Sequence, residues 1–214
     1  MGIEKWVPAD ILDRYEVLNY NHAAEILAES FPEEYRDVLQ ALRELKVSKE
    51  EIMQPGGNKS PIPPKIERIL GPRGWKEIKI SGDLNIKFYP RVGKKGHFAN
   101  EHTDEKLIRN YIDGHNIDHV KGRVAVDVEW NSKDQTFDRD LFAMRTYYEC
   151  DVISVGVIIT RSENLNDVFR ELDLMEKYGA STTWMGKLVP RLDSRRHGGC
   201  PILAVGITKA CVFD

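Results

Sequence analysis

The first third of the chain is patterned as short amphipathic helices. Two Ser-x-x-Glu pairs, Ser30 with Glu33 and Ser48 with Glu51, have the spacing of a capping box, and each predicts the start of a helix. The apolar residues between positions 35 and 45 recur at helical spacing, so the first of these helices has one apolar stripe.

The next segment changes to the two-residue period of strands. Residues 75–80 and 84–89 predict two strands, and Ser-Gly-Asp at 81–83 predicts the turn that joins them as a hairpin. Residues 103–113 carry apolar side chains at helical spacing and predict a helix that ends at Gly114.

The last part of the chain alternates between strands and helices. Strands are predicted over residues 123–130, 152–160 and 201–207, and helices over 137–150 and 165–178. This order predicts an α/β core, with a helical and hairpin elaboration before it. No boundary is evident, so we expect a single domain over residues 1–214, in which 1–115 form the elaboration and 116–214 the core.

Composition narrows the class of protein. Hydrophobic residues make up 41% of the chain and charged residues 30%, as in ordinary globular domains. No apolar run is long enough to cross a bilayer, and the N-terminus lacks the apolar core of a signal peptide. Three widely spaced cysteines argue against a disulfide framework and against a zinc site. We therefore expect a cytoplasmic protein with no membrane partner.

The net charge of −3 hides two basic segments, residues 87–97 and 187–197. A basic segment is often only a solvated surface. Basic groups that converge on one face nevertheless allow a protein of modest net charge to bind nucleic acid.

The stretch 123–130 carries the most informative pattern. Its valines and Trp130 point to one face of a strand, whereas Asp127 and Glu129 share the other. Asp118 precedes this strand by a short turn with a glycine, so it can fold back toward the pair. Three converging carboxylates suit magnesium. A solvated edge strand would carry the same residues, but the apolar strands that follow favour a central position, where buried acids need a cation.

The spacing of Asp118 and Asp127-Val128-Glu129 resembles a variant of the PD-(D/E)xK nuclease signature. Beyond this signature, the chain resembles type II restriction endonucleases of the BglII and BstYI kind from about Tyr15 to Ile207. The segments that carry this resemblance occur in the family's order: YEVLNYNHAAEIL, GWKE, VKGRVAVDVEW, DLF and PILAVGI. The resemblance implies a restriction-endonuclease-like core, with a central mixed sheet flanked by helices.

The resemblance also implies roles for individual residues. Asp118 and Asp127 would hold one or two Mg²⁺ ions per active site, together with the backbone carbonyl of Val128. Glu129 would complete the catalytic set at a position where most of the superfamily has lysine and close relatives have glutamine. Glu77, in the GWKE segment, is a further candidate for the metal site.

The resemblance further implies a magnesium-dependent homodimer that cuts double-stranded DNA at a short palindrome, without a small-molecule cofactor. The relatives that match best imply a GATC centre and a four-base 5′ overhang. Asn131, Ser132 and Lys133 lie where the family contacts DNA. The basic residues after them lie in a predicted loop over 181–199, which could read bases or form the dimer interface: Lys187, Arg191, Arg195 and Arg196.

Two other functions are compatible with the same core. One is a structure-specific repair or junction-resolving nuclease, which would not need long base-reading segments. The other is a DNA-binding protein that has lost cleavage, against which the intact set of Asp118, Asp127 and Glu129 argues.

Overall fold

The computed structural model describes residues 2–54, 60–93, 96–113 and 115–214. Lys94 and Lys95 of the first basic segment, and Gly114 at the predicted helix end, lie outside these ranges. The chain divides into two compact units, one comprising Met1–Ile78 and Ile117–Asp214 and the other Lys79–Asn116. The single nuclease domain over 1–214 stays a prediction.

Strands and helices follow one another along the whole chain. The strands are β1 (Tyr15–Tyr20), β2 (Val47–Ser48), β3 (Lys76–Lys79), β4 (Gly82–Phe88), β5 (Arg91–Val92), β6 (His97–Phe98), β7 (Asp104–Ile112), β8 (Asn116–Lys121), β9 (Val124–Val128), β10 (Val155–Arg161), β11 (Ile202–Ile207) and β12 (Val212–Phe213). The α-helices are α1 (Ala9–Leu12), α2 (Ala23–Ser30), α3 (Pro32–Glu44), α4 (Lys49–Met53), α5 (Ile62–Leu70), α6 (Thr136–Glu149), α7 (Asn166–Glu171) and α8 (Met185–Asp193).

The larger unit is built on a six-stranded mixed sheet of order β1-β11-β10-β9-β8-β3. Strands β9, β10 and β11 are parallel, whereas β1 and β8 run antiparallel to their neighbours β11 and β9. This arrangement confirms the predicted α/β core. It also confirms that β9, the strand that carries Asp127, lies in the interior of the sheet.

Both faces of β9 are covered. The valines of β9 and Trp130 belong to the main apolar core, together with buried residues of α1, α2, α3 and α5. On the other face, α6 packs close to the sheet. Its Met144 sulfur would lie only 2.5 Å from a Cβ atom at Gly156 of β10. All five residues of β9 are therefore buried, and Asp127 lies in the interior.

The smaller unit, Lys79–Asn116, consists of two antiparallel pairs, β4 with β7 and β5 with β6. The helix predicted over 103–113 was wrong, since this segment is β7 and pairs Ile108 with Leu84. Ile108 and Ile112 are four residues apart, a spacing that puts side chains on one face of a strand as well as of a helix. The predicted hairpin of 75–80 with 84–89 was also wrong, because β3 belongs to the six-stranded sheet and β4 pairs with β7.

The two capping boxes had different outcomes. At Ser48 the box forms, with Ser48 Oγ accepting from the Glu51 amide at 3.2 Å and a Glu51 carboxylate oxygen accepting from the Ser48 amide at 2.8 Å. Ser30 instead ends α2, and α3 begins at Pro32. Proline has the backbone angle of a first helical turn, so it sets this start without a serine cap.

The loop predicted over 181–199 contains helix α8. Its buried residues Met185, Leu188 and Leu192 follow helical spacing, and this apolar stripe against the core outweighs the helix-breaking Pro190. Helix α7 ends at Glu171 and is therefore shorter than the helix predicted over 165–178. Among the described residues, no helix combines the length and apolar character needed to cross a membrane.

Candidate active site

Two aspartates meet where β8 and β9 run antiparallel. His119 pairs with Val126 in this ladder, so Asp118 and Asp127 occupy the next opposed positions. The Asp118 amide donates to Asp127 Oδ1 at 3.0 Å, and the Val128 amide donates to Asp118 Oδ2 at 3.0 Å. Each carboxylate is thus held by the backbone of the opposite strand, and the predicted return of Asp118 toward Asp127 is confirmed.

Asp127 is more deeply buried than Asp118, with only 3% of its surface exposed. Its Oδ2 atom is buried and accepts no hydrogen bond from the described residues. Burial raises the pKa of Asp127 well above its usual value, and the negative charges of Asp140 and Asp118 raise it further. A bound cation would remove this penalty.

Glu129 follows directly after β9 and is half-buried. Its backbone is fixed on both sides, because its amide donates to the Ile159 carbonyl and its carbonyl accepts from the Thr160 hydroxyl. Burial and the charge of Asp140 raise the pKa of Glu129 to about 8, although a hydrogen bond with Ser132 opposes this shift. Its Oε2 atom is buried and accepts no hydrogen bond within the described chain.

A fourth acid, Asp140 on α6, was not among the predicted site residues. Only 1% of its surface is exposed, and its charge acts on both Asp127 and Glu129. The inward face of α6 carries Phe137, Asp140, Leu141 and Met144 at helical spacing. An aspartate within a buried apolar stripe is the signal that would have identified it.

The acid cluster of Asp118, Asp127, Glu129 and Asp140 fits a divalent cation. Its carboxylates are mostly withdrawn from water, and two of its buried oxygens, Asp127 Oδ2 and Glu129 Oε2, have no donor among the described residues. Over the ranges that the structure describes, no group of three or more His, Cys, Asp or Glu side chains has the geometry of a preformed metal site. Mg²⁺ does not require one, since it is commonly held by one or two carboxylates, waters and substrate phosphates.

A cleft of about 1270 Å³ opens beside the cluster. Its walls include Asp118 and Val128, exposed Glu77 from β3, and three of the residues predicted to contact DNA, Asn131, Ser132 and Lys133. Other parts of the same wall come from residues that the sequence did not single out, among them Glu67, Trp75, Lys76 and Thr136. Metal-site and DNA-contact candidates therefore share one groove.

His119 lies beside these acids and is 6% exposed. Burial lowers its pKa, while the charges of Asp118, Glu67 and Glu77 act in the opposite direction. Burial keeps the imidazole toward its neutral form, and Glu67 and Glu77 line the same cleft as Asp118.

The basic residues predicted over 187–196 are not among the residues that line this cleft. Arg191 on α8 donates through Nε and Nη2 to the two carboxylate oxygens of Asp138 on α6, each at 3.0 Å. Arg196 also pairs with Asp138, and Lys187 lies 3.9 Å from Asp134. Arg195 is exposed, with a positive φ of 58°. Arg191 thus links two helices, whereas Arg195 faces solvent.

The mixed sheet, with paired aspartates on adjacent strands and a flanking helix that adds an acid, defines a protein of the restriction-endonuclease-like class. A comparison with known families agrees with this class. The family described as Restriction endonuclease BglII/BglIII matches residues 15–207, and the chain belongs to this family. It is a type II site-specific deoxyribonuclease that acts on double-stranded DNA. No curated protein matches the chain in a direct comparison.

Proposed function

We propose that this restriction endonuclease hydrolyses DNA with Mg²⁺, using Asp118, Asp127 and Glu129 as its catalytic set. The observation that carries the proposal is the buried acid cluster, in which Asp127 Oδ2 and Glu129 Oε2 lack hydrogen-bond donors among the described residues. Such oxygens are costly to bury without a cation and well suited to bind one.

The acidic residues have different proposed roles, which follow from their positions in the site. Asp118 and Asp127 would hold one or two ions, with the Val128 carbonyl as a further ligand and Glu77 as an additional acid on the opposite side of β8. When bound, a divalent cation polarises the phosphodiester, lowers the pKa of water and offsets negative charge. Glu129 would orient the attacking water and accept its proton once a bound cation keeps its carboxylate ionised.

We assign sequence recognition to residues 131–133, which follow β9, here called the catalytic strand. Asn131, Ser132 and Lys133 lie in the wall of the same cleft as Asp118, so DNA bound against the acids passes beside them. Side chains in such a position can contact base edges in the major groove. The proposed target is a short palindrome with a GATC centre, cut to leave a four-base 5′ overhang.

A palindrome has two equivalent scissile bonds, and two copies of one active site are the simplest means of cutting both. We therefore propose that the enzyme acts as a homodimer. Lys187, Arg195 and Arg196 are proposed to contact DNA phosphates or the second protomer, while Arg191 supports them through Asp138.

The test is incubation of wild-type protein with unmethylated plasmid in Mg²⁺ and in EDTA. Discrete fragments in Mg²⁺ alone are expected, and sequencing of their ends gives the site and overhang. Asp118→Asn and Asp127→Asn should each abolish cleavage while retaining DNA binding, because the amide keeps the size of the side chain but removes the anion. Near-normal cutting by either variant would contradict the site assignment.

The same assay distinguishes the alternatives that the sequence left open. Cutting of branched DNA alone would indicate a structure-specific nuclease, and binding without cutting would indicate an inactive core. Sedimentation with and without duplex DNA tests the homodimer.

A further inference from the structure

The side chain of Arg161 is buried beneath the proposed recognition segment. Arg161, the last residue of β10, has 1% of its surface exposed and is the largest of the fully buried side chains. It forms no ion pair with any carboxylate in the described part of the chain. Burial lowers the pKa of its guanidinium to about 10, so it remains charged at neutral pH.

Two kinds of contact compensate for the burial of Arg161. Its Nε donates to the carbonyls of Trp130 at 2.6 Å and Thr183 at 3.1 Å, and its Nη2 donates to Thr182 Oγ1 at 2.5 Å. The guanidinium also lies 5.4 Å and 5.1 Å from the ring centroids of Phe169 and Tyr178, which stack on each other. A buried ion pair or cation is weak evidence for stability, and fixing one conformation is a recognised use of such groups.

Side-chain hydrogen bonds from the end of β10 extend the pairing of β10 with β9 beyond the last backbone hydrogen bond between them. The last backbone bond from β10 to the catalytic strand joins the Ile159 carbonyl to the Glu129 amide. Beyond this point the side chains of Thr160 and Arg161 donate to the next two carbonyls, those of Glu129 and Trp130. Arg161 therefore contacts the chain at the point where it leaves β9.

The same side chain anchors the segment that pairs with the recognition residues. Ser132 and Thr183 are joined twice, because the Thr183 amide donates to the Ser132 carbonyl at 2.9 Å and the Ser132 amide donates to Thr183 Oγ1 at 3.2 Å. Lys133 and Thr182 form an isolated antiparallel bridge. Thr182 and Thr183 both accept hydrogen bonds from Arg161, so one guanidinium holds both strands of this small ladder.

We propose that Arg161 is a positioning residue for sequence discrimination, which sets the recognition segment, residues 131–133, relative to Glu129. This inference rests on the proposed function of that segment. Arginine suits the task because its planar group offers several donors in fixed directions, whereas lysine offers a single compact centre. A methionine would fill similar space but leave the Trp130 and Thr183 carbonyls without this donor.

The first test uses cleavage specificity. Wild type, Arg161→Lys and Arg161→Met are compared on the duplex that contains the mapped wild-type site and on duplexes that differ from it by one base pair. We expect the ratio of kcat/KM between these duplexes to fall by about tenfold or more in Arg161→Met, the scale of one misplaced base contact. Arg161→Lys should recover part of this ratio. All rates are measured at temperatures where the variants are folded.

A matched control separates positioning from general destabilisation. Tyr15→Phe removes another buried hydrogen bond to a backbone carbonyl, that of Leu42 at 2.6 Å, in the N-terminal part of the core. It is expected to lower thermal stability without changing the specificity ratio. An equal loss of specificity in Tyr15→Phe and Arg161→Met would overturn the proposal.

The second test does not depend on cleavage. Hydrogen–deuterium exchange in DNA-free protein should accelerate at the amides of Ser132, Asp134 and Thr183 in Arg161→Met, with little change in β11. If Arg161→Met does not fold, Thr182→Val removes one acceptor of Arg161 and should produce a smaller change in the same direction. Wild-type specificity and wild-type exchange in Arg161→Lys and Thr182→Val would refute the role. A wild-type enzyme that cuts no DNA would instead refute the proposed function, and the exchange result would still test the anchoring.

Discussion

Replacing Glu129 by glutamine tests the electrostatics of the acid cluster directly. With a pKa of about 8, the folded metal-free protein holds Glu129 protonated at pH 7, whereas the unfolded chain ionises it near 4.5. Folding at pH 7 must therefore take up a proton at this position. Glutamine has a similar shape and requires no proton.

The magnitude follows from the gap between pH and the unfolded pKa. At pH 7 this gap is roughly 2.5 pH units above 4.5, and each unit corresponds to about 1.36 kcal/mol, so proton uptake costs about 3 kcal/mol. The pKa of Glu129 is higher in the folded state, so wild-type stability falls as pH rises from about 4.5 to about 8. We expect Glu129→Gln to gain less than about 1 kcal/mol over wild type at pH 5 and about 3 kcal/mol at pH 7, and this gain should level off at about 5 kcal/mol above pH 8.

The assay is urea unfolding in EDTA between pH 5 and pH 9, with the exposed Glu29→Gln as the matched control. The control should show no comparable change with pH relative to wild type. A difference between Glu129→Gln and wild type that is constant over this range, or that favours wild type at pH 7, would refute the account of a buried, protonated Glu129. Added Mg²⁺ should stabilise wild type more than the variant, because the cation binds the ionised carboxylate.

Four further predictions concern catalysis and the two arginines Arg191 and Arg195. Asp140→Asn should raise the Mg²⁺ concentration for half-maximal cleavage by about tenfold, since a charge beside the proposed ligands is lost, and an unchanged Mg²⁺ titration would contradict this. Glu129→Lys should lower the cleavage rate by about 10²-fold, because it reverses a charge beside the cation, and wild-type rates would show that its carboxylate has no specific role. Arg191→Ala should destabilise the fold by about 1–2 kcal/mol in thermal unfolding, because it breaks the two-bond pair with Asp138. Arg195→Ala should leave stability intact and reduce the salt dependence of DNA binding by about one unit of slope, and the reverse pattern for the two arginines would refute this division.

Local pattern was sufficient for the centre of the site. The strict alternation over 123–130 predicted a strand with valines on one face and Asp127 on the other, and the structure confirms it in β9. The glycine turn predicted the return of Asp118, and Gly122 indeed adopts a positive φ of 54° between β8 and β9. These features depend on neighbours within ten residues, so periodicity and turn chemistry contain them.

The structures of helix α8 and of the smaller unit depended on distant partners. Segment 103–113 has apolar spacing that suits a helix or a strand, and its pairing with β4, about twenty residues earlier in the chain, selects the strand. Segment 181–199 was predicted as a long loop between a helix and a buried strand, but burial of Met185 and Leu188 against the core favours helix α8. In both cases long-range packing outweighed the local preference.

The sequence by itself determined the three core strands over 123–130, 152–160 and 201–207, the acidic residues of the first of them and the spacing of Asp118 from Asp127. Only the tertiary structure decided which other groups surround them. Asp140 joins the acids because α6 packs over β9, and Arg161 reaches the carbonyls of Trp130 and Thr183 because β10 ends between those two segments. The physical reason is that a buried charge takes its role from the groups that compensate its lost hydration, and those groups come from distant parts of the chain.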